Sequence, residues 1–267
     1  MPSGSIPPFI AIATLALAAL MTSQGSAQTQ DSGAVVTSLP CRPGNTMTSP
    51  GPACLLAHQD LGALPNEPVY WHIDEFADEN EARSASTKNG TVVSDFGKVW
   101  LFTVAGKHWR SKGGIHVATV GPLPIAKAAA YSAEFVHSLF SPGMSAPIHK
   151  HSGPEAFYAL DGDTCLEMPG GSHIGTGPGN HLVMPANDPM LLMAIGKVPR
   201  RAFALILHDA TLPPTTRVTG WKPAGLCEAR LSSGEMIGRQ EILRSHARSH
   251  DNHPGDSKSS SDSPLHP

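Results

Sequence analysis

The sequence predicts an all-β protein built round a small barrel or sandwich of antiparallel strands. Three observations carry this expectation. From residue 131 onward, short apolar segments follow one another at near-regular spacing, with turn residues between them. The 267 residues include 26 Gly and 25 Pro, a composition that favours turns over a helical bundle. Hydrophobic residues make up 40% of the chain and charged residues only 15%, so a sizeable buried core is expected. The net charge of −3 comes without any Lys/Arg cluster. The basic footprint that phosphate binding needs is therefore missing, and nucleic acid is not expected as a partner.

The N-terminal segment reads differently. Phe9 to Met21 ("FIAIATLALAALM") is an apolar run followed by "TSQGSAQTQ". It has the form of a secretory signal peptide over residues 1–27, with Gly25 and Ala27 at the −3 and −1 places of a cut after Ala27. No Lys or Arg precedes Phe9, which departs from the usual signal. The run falls short of the ~20 residues that span a bilayer, so stable membrane insertion is not expected. The expectation is a periplasmic or secreted protein. In an oxidising compartment the four cysteines, Cys41, Cys54, Cys165 and Cys227, read as two disulfides. Three pairings satisfy the count. We favour Cys41–Cys54, which encloses a Pro/Gly-rich loop, and Cys165–Cys227. The alternative is four free thiols in a cytosolic protein. None has C-x-x-C spacing, so no redox or zinc motif is indicated.

Residues 28–65 read as an extended arm, and 66–130 as a β-rich extension packed on the barrel. Within that extension "PVYWHIDEF" reads as a strand and "ADENEARSAST" as a short helix. "TVVSDFGKVWLFTVAG" reads as two strands about Gly97, and "GIHVATVGPLPI" as another strand. The barrel itself is expected over 131–215. There "YSAEFVHSLF", "APIHKH", "EAFYAL", "TCLEM", "NHLVM", "MLLMAIG" and "RRAFALILHDA" are strands, ended by "SPG", "SGP", "DGD", "PGG" and "PANDP". Residues 216–244 form a C-terminal segment with a helix near "EMIGRQEILRS". Residues 245–267 are polar and low in complexity, and read as a disordered, solvated tail carrying His246, His250, His253 and His266.

One stretch carries chemistry. In a strand, side chains alternate faces, so His149 and His151 share a face and Lys150 points away. "SGP" then turns the chain, and Glu155 opens the returning strand opposite the histidines. Two imidazoles and one carboxylate form a facial set with open positions, suited to a divalent transition metal such as Fe, Mn, Zn, Ni or Cu. The plain alternative is three polar residues of a surface turn. Alternation from Glu155 puts Phe157 and Ala159 on its face, and alternation from position 190 puts Leu192 there, so these three line the pocket. Phe135 or Val136 should line it from the first strand, and Tyr158 should face away. His137 and His181 are lesser candidates. No G-x-S-x-G elbow, P-loop or strand-linked Rossmann glycine pattern is present.

The same stretch resembles the first motif of the cupin superfamily, G-x5-H-x-H-x3-E-x6-G. Here it runs Gly143, "MSAPI", His149, Lys150, His151, "SGP", Glu155, "AFYALD", Gly162, with every fixed position and spacing in agreement. The second motif, G-x5-P-x-G-x2-H-x3-N, is degenerate. Gly179 and Pro185 agree, Asn187 replaces a glycine, Met190 replaces the histidine of the fourth ligand position, and Ala194 replaces the asparagine. Asparagine tolerates the left-handed backbone, so the turn can survive.

The resemblance covers about a third of the chain. It implies a cupin-type, jelly-roll-like antiparallel barrel with the N-terminal β-rich extension added to it. A degenerate first cupin domain in 66–130 is the alternative, against which stands the lack of any H-x-H there. Three readings of Met190 follow: a hydrophobic wall beside a three-ligand metal, a soft thioether ligand favouring copper, or loss of the metal with an organic ligand held by the histidines. The function implied is an exported metal-binding cupin, oxygenase- or lyase-like, acting on a small organic molecule. The alternatives are a non-catalytic ligand-binding or sensory cupin of the cell envelope, or a scaffold. The resemblance also implies a homodimer paired through outer sheets.

Overall fold

The computed structural model describes residues 34–35, 39–41 and 53–233. The expected signal peptide, the helix near 235–245 and the C-terminal tail lie outside the described residues. The strands in chain order are β1 (Ala53–Gly62), β2 (Val69–Phe76), β3 (Gly90–Asp95), β4 (Lys98–Gly106), β5 (Ile115–Val120), β6 (Tyr131–Phe140) and β7 (His149–His151). They continue with β8 (Glu155–Asp161), β9 (Asp163–Met168), β10 (Gly171–Gly175), β11 (His181–Met184), β12 (Leu191–Ile195), β13 (Arg200–Asp209) and β14 (Thr215–Arg217). One short helix, α1 (Glu79–Ala85), lies between β2 and β3. Its N-terminus is capped by Asp78, whose carboxylate accepts from the backbone N–H groups of Asn80 and Glu81.

The barrel has two walls. One is a five-stranded antiparallel sheet in the order β1-β6-β13-β8-β11. The other joins the sheet β10-β9-β12 to the pair β7-β14. Bridges between Ser145 and Met193 and between His149 and Met190 make that junction. The chain leading into β7 therefore runs beside β12, hydrogen-bonded through Gly143, Met144, Ala146 and His149. The space between the walls holds a core of Val136, Phe140, Phe157, Leu166, Met184, Met190, Leu192, Ala194, Ala204 and Ile206. Val136 and Phe140 of β6, Phe157 of β8, and Ala204 and Ile206 of β13 lie at even spacings on one face of the sheet, as strand alternation requires.

The other face of the five-stranded wall is just as apolar. Ala133, Phe135, Ala156, Tyr158, Phe203, Leu205 and Leu207 pack against Val69, Trp71, Ile73, Trp100, Phe102 and Val104 of a four-stranded sheet in the order β3-β4-β2-β5. That wall is thus a middle layer with a core on each side. Phe135 belongs to the outer core and Val136 to the barrel, which settles the choice the alternation left open. Tyr158 faces the outer core. The two strands about Gly97 form a hairpin whose turn residues, Phe96 and Gly97, both have positive φ, the geometry that matches strand twist.

Two segments differ from the sequence reading. Within the stretch read as an extended arm, residues 53–62 form β1, paired along β6. Its apolar residues do not alternate with polar ones, so no strand period marks it. Its pairing partner supplies the order. After β14 the chain crosses the outside of the second wall and enters a helical segment at 226–233. Here Glu167 of β9, fully buried, accepts from the backbone N–H groups of Ala224, Gly225, Leu226 and Cys227. A carboxylate at a helix N-terminus meets otherwise unpaired donors and the positive end of the helix dipole. Disulfides join Cys41 to Cys54 and Cys165 to Cys227. The second bridge anchors the C-terminal segment over Leu191, Met193 and Ile195.

Candidate metal centre

β7 and β8 bring His149, His151 and Glu155 together. Gly153 makes this possible. A Cβ at this position would fall inside contact distance of the Leu207 carbonyl oxygen, so only glycine lets the turn sit so close to β13. Ligand atoms of the three side chains all lie within 4.8 Å of one another. His151 and Glu155 are buried, at 2% and 5% exposure, and His149 is half-buried. The two imidazole rings meet edge to face, with centroids 4.7 Å apart.

The outer nitrogens fix the tautomers. Nδ1 of His149 lies 2.7 Å from the Pro147 carbonyl, and Nδ1 of His151 lies 3.0 Å from the Pro214 carbonyl. A carbonyl only accepts, so each Nδ1 carries the proton and each neutral ring keeps its Nε2 lone pair for the centre. Nε2 of His151 stands 3.1 Å from Oε2 of Glu155, yet neither atom has an aligned hydrogen-bond partner. Buried, 3.1 Å apart and with no other partner, the two atoms are both free to turn their lone pairs to an ion. The donor set, two imidazoles and a carboxylate, fits a divalent transition ion.

The electrostatics favour a cation. Burial lowers the pKa of His149, helped by the positive field of His151 and opposed by Glu155. Burial is the largest influence on His151 and pulls it down, but the Glu155 carboxylate beside it, the Pro214 carbonyl and the more distant Glu134 charge together outweigh it, so His151 ends above its ordinary value.

Met190 sits directly across from His149, exchanging backbone hydrogen bonds with it at 2.9 and 3.3 Å. Its side chain is buried in the barrel's apolar lining with Phe157 and Leu192. Ala159, fully buried, lies two residues beyond Phe157 on the same strand face. Asn187 takes φ of 69°, so the turn that glycine would make is kept. The lesser histidine candidates lie elsewhere. His137 binds Asp95 at 2.9 Å and stacks on Phe96, toward the four-stranded sheet. His181 is exposed, paired across from Tyr158 and so on the face away from Glu155.

The sequence reading missed three inward polar residues: Glu134, His208 and Arg200. Each is a charged or imidazole residue within an apolar strand, and strand phase places it inward. Arg200 closes the far end of the barrel. Its guanidinium bonds the Thr164 and Ser138 hydroxyls at 2.7 and 2.8 Å, covers the Phe157 ring, and is pulled down to about 10 by burial, with Glu155 opposing.

No family model and no curated protein matches the chain. Solved structures do. A cupin superfamily protein from Desulfitobacterium hafniense is 19% identical over 29% of this chain and 68% of that one, with a TM-score of 0.26. The DMSP lyase DddQ from Ruegeria pomeroyi is 21% identical over 32% of this chain and 42% of that one, with a TM-score of 0.28. A cupin-like protein from Thermotoga maritima is 19% identical over 34% of this chain and 68% of that one, with a TM-score of 0.28. The chain spans less than half the length of the lyase it matches. The two antiparallel walls, closed round the His149–Glu155 stretch, make the fold an all-β, cupin-type barrel.

Proposed function

We propose that the chain is an exported cupin that holds a divalent transition metal on His149, His151 and Glu155 and acts on a small organic molecule, as an oxygenase- or lyase-like enzyme. The observation that carries the proposal is the convergence of three ligand atoms within 4.8 Å while both histidine Nδ1 atoms are tied to carbonyls. A bound metal would supply Lewis-acid activation or dioxygen chemistry at its open positions. The chain's own residues do the rest. His149 and His151 are held in the tautomer that presents Nε2. Glu155 supplies charge to the centre from a buried position. Phe157, Met190 and Leu192 give the cavity a dry apolar wall that orients an organic substrate and excludes water. Met190 acts as that wall.

Export is supported by the two disulfides, which form and persist in oxidising compartments. No helix among the described residues is long and apolar enough to cross a membrane. The domain organisation we propose is a signal segment, an N-terminal arm whose residues 53–62 join the barrel wall as β1, a β-rich extension over 66–130, the barrel over 131–215, and a C-terminal segment and tail. The second reading, a non-catalytic ligand-binding or sensory cupin, is favoured by one feature: Met190 leaves the centre with three ligands in place of four.

The test is metal analysis of the full chain purified from the periplasm, with and without His149→Ala. Near-stoichiometric metal that the variant loses supports the metal centre. A metal-free protein whose thermal midpoint rises with a small organic molecule supports the binding role instead.

A further inference from the structure

Strand register places a second carboxylate on the inner face of the barrel, beside the centre. Glu155 of β8 pairs with Ile206 of β13, Ile206 pairs with Glu134 of β6, and Glu134 pairs with His58 of β1. Paired residues in an antiparallel sheet point to one face. Glu155, Ile206, Glu134 and His58 therefore form a row that faces inward. Glu134 is 9% exposed, and its Oε2 has no hydrogen-bond partner. Its Oε1 lies 4.0 Å from Nδ1 of His58, whose side chain is half-exposed at the rim. One row further on, His208 donates through Nδ1 to the Asp209 carbonyl, and its Nε2 is unpartnered. Four unpartnered buried atoms, on Glu134, His151, Glu155 and His208, thus belong to this end of the barrel.

We propose that Glu134 is a further binding residue of the metal centre, accepting a hydrogen bond from the water or acidic substrate group that occupies the open side of the ion. This rests on the metal reading of His149, His151 and Glu155. Glu134 stands outside the group of ligand atoms that lie within 4.8 Å of one another, so its place is beyond the direct ligands. The Glu134 carboxylate is close enough for its charge to bear on His151, where it acts in the same sense as Glu155. A buried carboxylate with an empty acceptor oxygen is costly in an apolar barrel unless a donor or cation faces it. The thioether of Met190, at the position where a fourth ligand would stand, is only a weak acceptor. The polar partner for whatever binds at the open side thus comes from β6. His58, bonded through Nε2 to Asp60, stands at the rim 4.0 Å from that carboxylate.

Cobalt(II) titration of the full chain tests this through visible absorption and bound stoichiometry, comparing wild type, Glu134→Gln and His149→Ala. Glu134→Gln should keep the stoichiometry, lose about 10- to 100-fold in cobalt affinity, and shift the d–d bands, because groups around the ligands tune both. A purely structural role would leave the bands of the bound ion unmoved. Should Glu134→Gln not fold, Glu134→Asp, which keeps charge but retracts it, should show the same band shift with a smaller affinity loss. Wild-type affinity and spectrum in a folded Glu134 variant overturn the role of Glu134 and leave the centre standing. Cobalt binding that is absent from wild type, or that survives His149→Ala, overturns the centre and this role with it.

Discussion

Met190→His tests the geometry of the centre directly. Met190 and His149 are bridge partners whose side chains enter the same cavity, so an imidazole at 190 would stand beside the His149 ring. Without metal the variant should be less stable. Met190 is 1% exposed, and losing a fully buried apolar side chain costs about 1.5–3 kcal/mol. Leaving a polar ring unpaired in its place costs about 1–3 kcal/mol more. The sum, about 2.5–6 kcal/mol, lowers Tm by roughly 5–24 °C at about 2–4 °C per kcal/mol for a domain of this size. A divalent ion reverses this, because the new ring is then a ligand. At an ion concentration about 1,000-fold above Kd the folded state gains about 4 kcal/mol, within the range of that loss. The assay is a thermal melt of wild type and variant, with chelator and with zinc. The expected result is a zinc-dependent rise in Tm that is larger in Met190→His than in wild type. An equal or smaller rise would show that position 190 does not face the ion, and the three-ligand centre with an open fourth side would be wrong.

Three further outcomes are expected. Gly153→Ala forces the turn between His151 and Glu155 away from the Leu207 carbonyl, costing about 1–3 kcal/mol and loosening the ligand set; a melt and metal analysis check it, and unchanged metal affinity refutes it. Removing the Cys165–Cys227 bridge, which closes a separation of 62 residues, should cost about 4 kcal/mol in denaturant unfolding; an unchanged midpoint refutes the anchoring role of the C-terminal segment. Metal binding should release a proton near pH 6.5 and just above. His151 is raised above that value and must lose its proton to present Nε2, whereas His149, lowered, is already neutral there. Binding therefore weakens as pH falls, and release of about one proton per ion is measurable with an indicator dye in weak buffer. No release at pH 6.5 would refute the coupling of His151 to Glu155.

The barrel was legible because its strands carry local signals. "SPG", "SGP" and "PGG" end strands by their own chemistry, and H-x-H with a glutamate four residues on reports a shared face wherever strands alternate. β1 was not legible because its order comes from pairing with β6, a distant partner in the chain (Gly62 with Tyr131, Ala53 with Ser138) that no local pattern names. Glu134 was passed over for the apolar Phe135 and Val136 beside it. Its inward phase becomes meaningful only once the register with Ile206 and Glu155 is fixed. Met190 was ambiguous for the same reason. The sequence shows a missing imidazole, but only the packing with Phe157, Leu166 and Leu192 shows what replaced it.

The extension also changes what the barrel can do with its surface. In the five-stranded wall, Phe135, Tyr158, Phe203, Leu205 and Leu207 present an apolar face outward from the cavity. A barrel lacking any cover there would have to bury that face against another molecule, because apolar surface on this scale is unfavourable in water. Here the chain covers it with its own four-stranded sheet, through Trp71, Trp100 and Phe102. The outside of the opposite wall is likewise taken, by the segment that Glu167 and the Cys165–Cys227 bridge hold in place. A homodimer paired through outer sheets, as the resemblance implies, would therefore have to form without these two covered faces. Deleting the extension should expose the middle layer's second core and produce aggregation. A soluble, monodisperse protein that lacks 66–130 but keeps β1 joined to β6 would show that this face needs no cover.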